Sequence, residues 1–142
     1  MTEPNNPHAY AAGCSARRRI LGDAYADRTE QAAAADALTD ESKTGQLAHT
    51  FHTLASQHAW GAVWPRTSAL DDRARSIATI GLLIVMGNKE ELELHLEGTV
   101  RNGLYTPAQV AEIIHHSTAY AGYPLGLTAL QHVKETPDKA LR

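Results

Sequence analysis

The residues whose types and spacing best suit chemistry are His95 and Glu91, four positions apart in a stretch that reads as helix. On a helix that spacing puts both side chains on one face. A carboxylate beside an imidazole can orient the ring and raise its pKa, which keeps it a competent proton carrier near neutral pH. At about 100° per residue, His95 flanks the stripe Leu92, Leu96 and Thr99, so it can point into a cleft. The same spacing also describes an ordinary surface Glu–His pair. His116 and Tyr120 form a second pair at that separation, bordering Val110, Ile113, Ile114 and Ser117. His116 reads equally as an active-site acid or donor and as a buried histidine with its bonds satisfied. Tyr120 reads as a pocket wall or as a packing residue with a bonded hydroxyl.

An anionic substrate needs guanidinium partners. Arg66 and Arg75 flank the turn before an apolar helix, and either could clamp a carboxylate or sit solvated. Trp60 and Trp64 flank Gly61 and could wall a pocket or pack in a core, with His58 close by in sequence. Arg17 and Arg18 read as structural ion-pair residues, and His49, His52 and His132 carry no signal. No HExxH appears, and no pair of ExxH motifs of the carboxylate-bridged kind, so no metal is expected. The one cysteine, Cys14, cannot form an internal disulfide or a redox couple.

These side chains must be held by helices, because no segment alternates with period two. Residues 9–27 favour helix, residues 30–38 form an alanine-rich patch, and residues 43–60 form a further helix. Pro65 breaks the chain. Ser68 and the acids Asp71 and Asp72 open a helix to Val85 or Met86, closed by Gly87 and Asn88. The next helix, 89–101, stops at Asn102 and Gly103. Thr106 caps another with Pro107 at its first position, Gly122 and Pro124 interrupt it, and residues 125–134 form the last. The reading is all-α, a compact bundle of six or seven helices. It forms one domain over residues 9–136 with a variable segment at 30–46, between tails at 1–8 and 137–142.

The ordered set Leu70, Asp71, Arg75, Ser76, Glu91, Leu94, His95, Gly98, Asn102, Gly103, Thr106, Pro107, Glu112, His116, Tyr120, Gly122 and Pro124 resembles the carboxymuconolactone decarboxylase family. Upstream, Gly13, Arg17, Arg18, Leu21, Gly22, Asp23, Phe51, Trp60, Gly61, Trp64 and Arg66 extend the likeness to roughly residues 13–133. The resemblance implies an alkyl hydroperoxidase D-like helical fold and the family's decarboxylase branch. The peroxidase branch places a CxxC pair where this chain has Asn88 and Glu91, and an acid where it has Ser76. Peroxide chemistry needs those thiols. The implied reaction is cofactor-free loss of CO2 from a small carboxylated lactone, with His95, Glu91 and His116 catalytic. Arg66, Arg75, Tyr120, Trp60, Trp64 and His58 would contact substrate.

Three departures touch the substrate more than the fold. The segment 29–46 is long and alanine-rich, the turn after Arg66 reads Thr67, Ser68, Ala69, and Glu97 stands where a basic residue is common. An isomerase or cyclase, or a decarboxylase of another acid, is therefore a second reading, and a non-catalytic oligomeric binding protein a third.

The bulk properties fit. A formal charge of -3 over 142 residues argues against nucleic acid or an anionic membrane as partner. Residues 77–86 are the longest apolar run, well short of the roughly 20 residues that span a bilayer. No signal peptide is evident, so a cytoplasmic location is expected. A helix apolar almost all round is too much for a chain this short to cover, which predicts a homo-oligomer. The resemblance suggests a trimer or hexamer.

Overall fold

A computed structural model describes residues 6–39 and 43–135, and among these there are seven α-helices and no strand. The described residues group into two compact units, 1–69 and 70–142, each taken by itself below.

The first unit holds α1 (Pro7–Leu21), α2 (Asp23–Thr39) and α3 (Lys43–Leu54), which runs on into a π-helical stretch, Ala55–Trp60. Helix α1 starts earlier than expected: Asn6 accepts from the Ala9 amide and Pro7 occupies the first turn, so Pro7 and His8 belong to the helix rather than to a tail. The expected helix over 9–27 is in fact two. Gly22 adopts φ 90°, which L side chains rarely tolerate, and its amide closes on the Arg18 carbonyl before α2 begins. Arg18 bridges that break, reaching Asp27 at 2.6 Å and Glu30 at 2.8 Å. The alanine-rich patch is the interior of α2, with Ala26 and Ala33 buried. Of the variable segment, 30–39 and 43–46 are helical, and 40–42 lie outside the described residues.

Gly13, Ala16, Arg17, Ile20 and Leu21 form the buried stripe of α1, at helical spacing. The two backbones touch at the glycines. A Cβ on Gly13 would stand 1.9 Å from the Ser56 carbonyl oxygen, and one on Gly61 would stand 2.0 Å from that of Ala9.

The second unit holds α4 (Asp72–Met86), α5 (Lys89–Arg101), α6 (Pro107–Ala121) and α7 (Tyr123–Glu135). Asp71, not Ser68, caps α4 by accepting from the Ala74 amide at 2.8 Å. An acid directly before the first turn also meets the helix dipole, which the distant hydroxyl cannot do. Gly87 closes α4 in the left-handed region, and Asn88 caps α5. Thr106 and Gln109 exchange both bonds of a capping box at the start of α6. Helix α7 starts at Tyr123 rather than at 125.

The core of this unit is Ile80, Leu83 and Ile84 of α4, Leu92 and Leu96 of α5, Tyr105, and Val110, Ile113 and Ile114 of α6, with Ala129 of α7. Helix α4 spends only part of its apolar circumference on that core. Ile77, Leu82, Val85 and Met86 stay exposed, Met86 by 70%. No helix among the described residues is long and apolar enough to cross a membrane. The expected tail 137–142 lies outside the described residues.

Candidate active site

Helix α5 carries His95 between Leu92, Leu96 and Thr99, and all four are buried. His95 is 4% exposed. Thr99 Oγ1 donates to the His95 carbonyl at 2.7 Å and to that of Leu96 at 3.0 Å, so the hydroxyl is satisfied inside its own helix. Burial pushes the His95 pKa down to about 4. This corrects the expectation that Glu91 would raise it. Glu91 lies exposed in the first turn of α5, and desolvation of the ring governs the titration. His95 is therefore a neutral imidazole at pH 7, able to donate through one nitrogen and accept through the other.

His116 and Tyr120 lie on the exposed side of α6 with ring centroids 5.2 Å apart. Tyr120 is 82% exposed. His116 lines an open trough of about 500 Å³ with Ile77, Glu112, Ile113, His115 and Ser117. Arg75 is half-buried in the first turns of α4, and Ser76 beside it is fully buried. Ser76 stands by the Tyr105 hydroxyl, which donates to the Arg73 carbonyl. Among the described residues, no three His, Cys, Asp or Glu side chains gather as a metal cage.

In the first unit, Trp60 and Trp64 stack with centroids 5.0 Å apart, and Trp64 is buried. His58 and Arg66 are exposed. Burial pushes the Cys14 thiol pKa up, which fits an inert thiol rather than a nucleophile.

Sequence reasoning missed one cluster. Arg17 is buried and makes no ion pair among the described residues. It donates to Ser56 Oγ at 3.0 Å, contacts His52 Nε2 at 3.3 Å, and stands over the Trp60 ring at 5.6 Å. A guanidinium can only donate, so Nε2 accepts and His52 is the neutral Nδ1–H tautomer. Burial first, then the Arg17 charge, holds the His52 pKa down. These partners lie far apart in the chain, and only the tertiary packing reveals them.

The profile of the carboxymuconolactone decarboxylase family matches residues 50–135, more than half of the chain. The chain belongs to that family. Among curated relatives of this decarboxylase-family chain, it is 30% identical over 131 residues to the 4-carboxymuconolactone decarboxylase of Acinetobacter baylyi, covering 92% of this chain and 88% of that one. It is 32% identical over 124 residues to the nitrosuccinic acid decarboxylase npaB of Metarhizium robertsii, covering 87% and 78%. No solved structure matches the chain. The family profile spans His95, Glu91, His116, Arg66 and Arg75, while Arg17 lies upstream of it.

Proposed function

We propose that this family member is a cofactor-free decarboxylase of a small acid carrying two carboxylates and an electron-accepting group, with 4-carboxymuconolactone as the first substrate to test. Two decarboxylases align over most of their length with this chain, which supports the reaction class. One structural observation carries the mechanism: His95 is buried in an apolar helix face and held neutral.

In a carboxylated lactone, the C–C bond to the leaving carboxylate breaks and its electron pair flows through the ring alkene into the lactone carbonyl. The product of that step is a dienolate, so the substrate supplies its own electron sink. A neutral imidazole offers an N–H to the growing oxyanion in a site of low dielectric. The negative charge building beside it raises the ring's proton affinity. His95 then takes a proton from solvent and delivers it to carbon, giving the enol lactone. His116 and Arg75 are the further substrate contacts proposed from this unit. For the first unit, taken by itself, the family resemblance alone proposes Arg66, Trp60, Trp64 and His58 as substrate contacts. Tyr120 and Glu91, both exposed, serve at the mouth of the site or through the assembly.

The test is turnover of 4-carboxymuconolactone, followed by CO2 release and by loss of its ultraviolet absorbance, with His95→Gln as control. The similar likeness to a nitrosuccinic acid decarboxylase favours a second substrate of the same electronic kind, in which a nitro group accepts the electron pair. Nitrosuccinate is therefore assayed in parallel. Folded protein that turns over neither acid would remove this reading.

A further inference from the structure

We propose that Arg17, His52, Ser56 and Gln57 form a binding site for a carboxylate, in the first unit. The argument starts from an unbalanced charge. Arg17 is 4% exposed and its contacts are the neutral Ser56 hydroxyl, the neutral His52 imidazole and the Trp60 ring. Among the described residues no carboxylate pairs with it, and a buried cation without an anionic partner is costly, so a protein that keeps one gains from it elsewhere. Its neighbour in sequence shows the contrast: Arg18 is engaged by Asp27 and Glu30. The acid that acts on His52 through space is Glu30, whose Oε2 is committed to Arg18 and whose Oε1 is buried without a hydrogen bond.

Two donors near the guanidinium's partners lack an acceptor. The His52 Nδ1 is buried without a hydrogen-bond partner, and in the tautomer fixed by Arg17 it carries the proton. Gln57 is 3% exposed, and neither its amide nitrogen nor its amide oxygen is bonded. Buried polar atoms are nearly always paired, so an orphan Nδ1 on the imidazole that Arg17 holds, and two orphan atoms on the residue that follows its Ser56 partner, are out of the ordinary. Ser56 and Gln57 both lie on the π-helical stretch, a geometry that recurs at functional sites. Tyr10, His52 and Trp60 are half-buried, so the cluster meets the surface at their rings. A planar carboxylate matches the guanidinium fork and accepts from the N–H donors around it.

The assignment of that carboxylate to the acid substrate rests on the decarboxylase reading. Binding itself does not, and it is measured without turnover. Succinate is the probe, with dimethyl succinate as the uncharged control, read by calorimetry and by 15N shifts of the His52 ring. The wild-type chain is expected to bind succinate and not the diester, with the His52 Nδ1 resonance moving on binding. Arg17→Gln is expected to weaken succinate at least tenfold, and Arg17→Lys, which keeps the charge and loses the fork, by less.

Should Arg17→Gln fail to fold, Gln57→Leu carries the test. A residue that only burdens the core predicts a higher Tm and unchanged succinate binding, whereas a ligand-facing one predicts a higher Tm with binding at least fivefold weaker. No succinate binding by the wild type, or equal binding by the variants, overturns the site. Binding through Arg17 in a chain that decarboxylates neither acid leaves the site standing and removes the catalytic reading. Turnover without Arg17-dependent binding does the reverse.

Discussion

Arg17 holds His52 by its Nε2 across 3.3 Å, joining residues 35 apart in the chain and fixing which imidazole nitrogen carries the proton. His95, buried, and His52, half-buried, are both held neutral, and they reach that state differently. His95 is governed by burial alone, whereas His52 feels burial and then the adjacent guanidinium. The first belongs to the proposed proton transfer, and the second to the proposed anion site.

Replacing His95 by Gln keeps a polar side chain of similar reach and removes proton transfer. Turnover of the acid substrate is expected to fall by roughly 100- to 10,000-fold. Steady-state CO2 release measures it, with circular dichroism confirming the fold.

The same histidine makes stability depend on pH. Its folded pKa of about 4 lies below the ordinary value of 6.5. Between those values the unfolded chain binds a proton that the folded chain refuses, so stability is full above pH 6.5 and falls as the pH drops toward 4. The loss from His95 is on the order of 3 kcal/mol, and His52, also lowered, adds in the same direction. Urea midpoints at pH 7 and pH 4.5 should differ by less in His95→Gln than in the wild type. Parallel behaviour of the two would show that His95 is not the group responsible.

Gly13→Ala places a methyl 1.9 Å from the Ser56 carbonyl oxygen, where the obstacle is backbone rather than a side chain that can turn aside. Destabilisation of about 1–3 kcal/mol is expected from such overpacking, read as a lower urea midpoint at unchanged slope.

Thr106→Ala removes the hydroxyl that accepts from the Gln109 amide and breaks the capping box of α6. A loss of about 1 kcal/mol is expected, with Thr106→Ser close to wild type. Thermal unfolding of the two variants checks both statements.

The exposed side of α4 presents Leu82, Val85 and Met86, and Ile77 is exposed a turn and more before them. A chain that covers this face with copies of itself sediments as an oligomer, and Val85→Lys shifts it to smaller species. A wild-type monomer at micromolar concentration would count against self-association through α4.

Local signals were the legible ones. Thr106, Pro107 and Gln109 announce α6 because a cap, a first-turn proline and a box partner act within one turn. Gly87 and Asn88 likewise mark the boundary of α4 and α5. The all-helical class followed from the absence of period-two alternation, and His95 bordering Leu92, Leu96 and Thr99 followed from helical spacing. The break at Gly22 was hidden because the residues on both sides favour helix, and only the backbone angle of one glycine divides them. The cap of α4 fell to Asp71 because a nearer acid outcompetes a more distant serine. The lowered pKa of His95 was misjudged because spacing reveals a neighbouring acid and not the depth of the ring. Arg17 with His52 and Ser56 had no sequence signature, since nothing in a linear pattern says which of two adjacent arginines turns inward.

The π-helical stretch 55–60 has a consequence for how this chain tolerates length change. A helix that gains one residue without unwinding closes its hydrogen bonds one position further on and bulges at that spot. Removing a single residue there, such as Ala59, would let ordinary α-winding resume. The residues that follow directly in the first unit would then rotate by about 100° about the axis. Trp60 would swing from beneath the Arg17 guanidinium, and Gly61 would no longer meet the Ala9 carbonyl. The shortened helix would be the more regular one, and the first unit built on it would come apart.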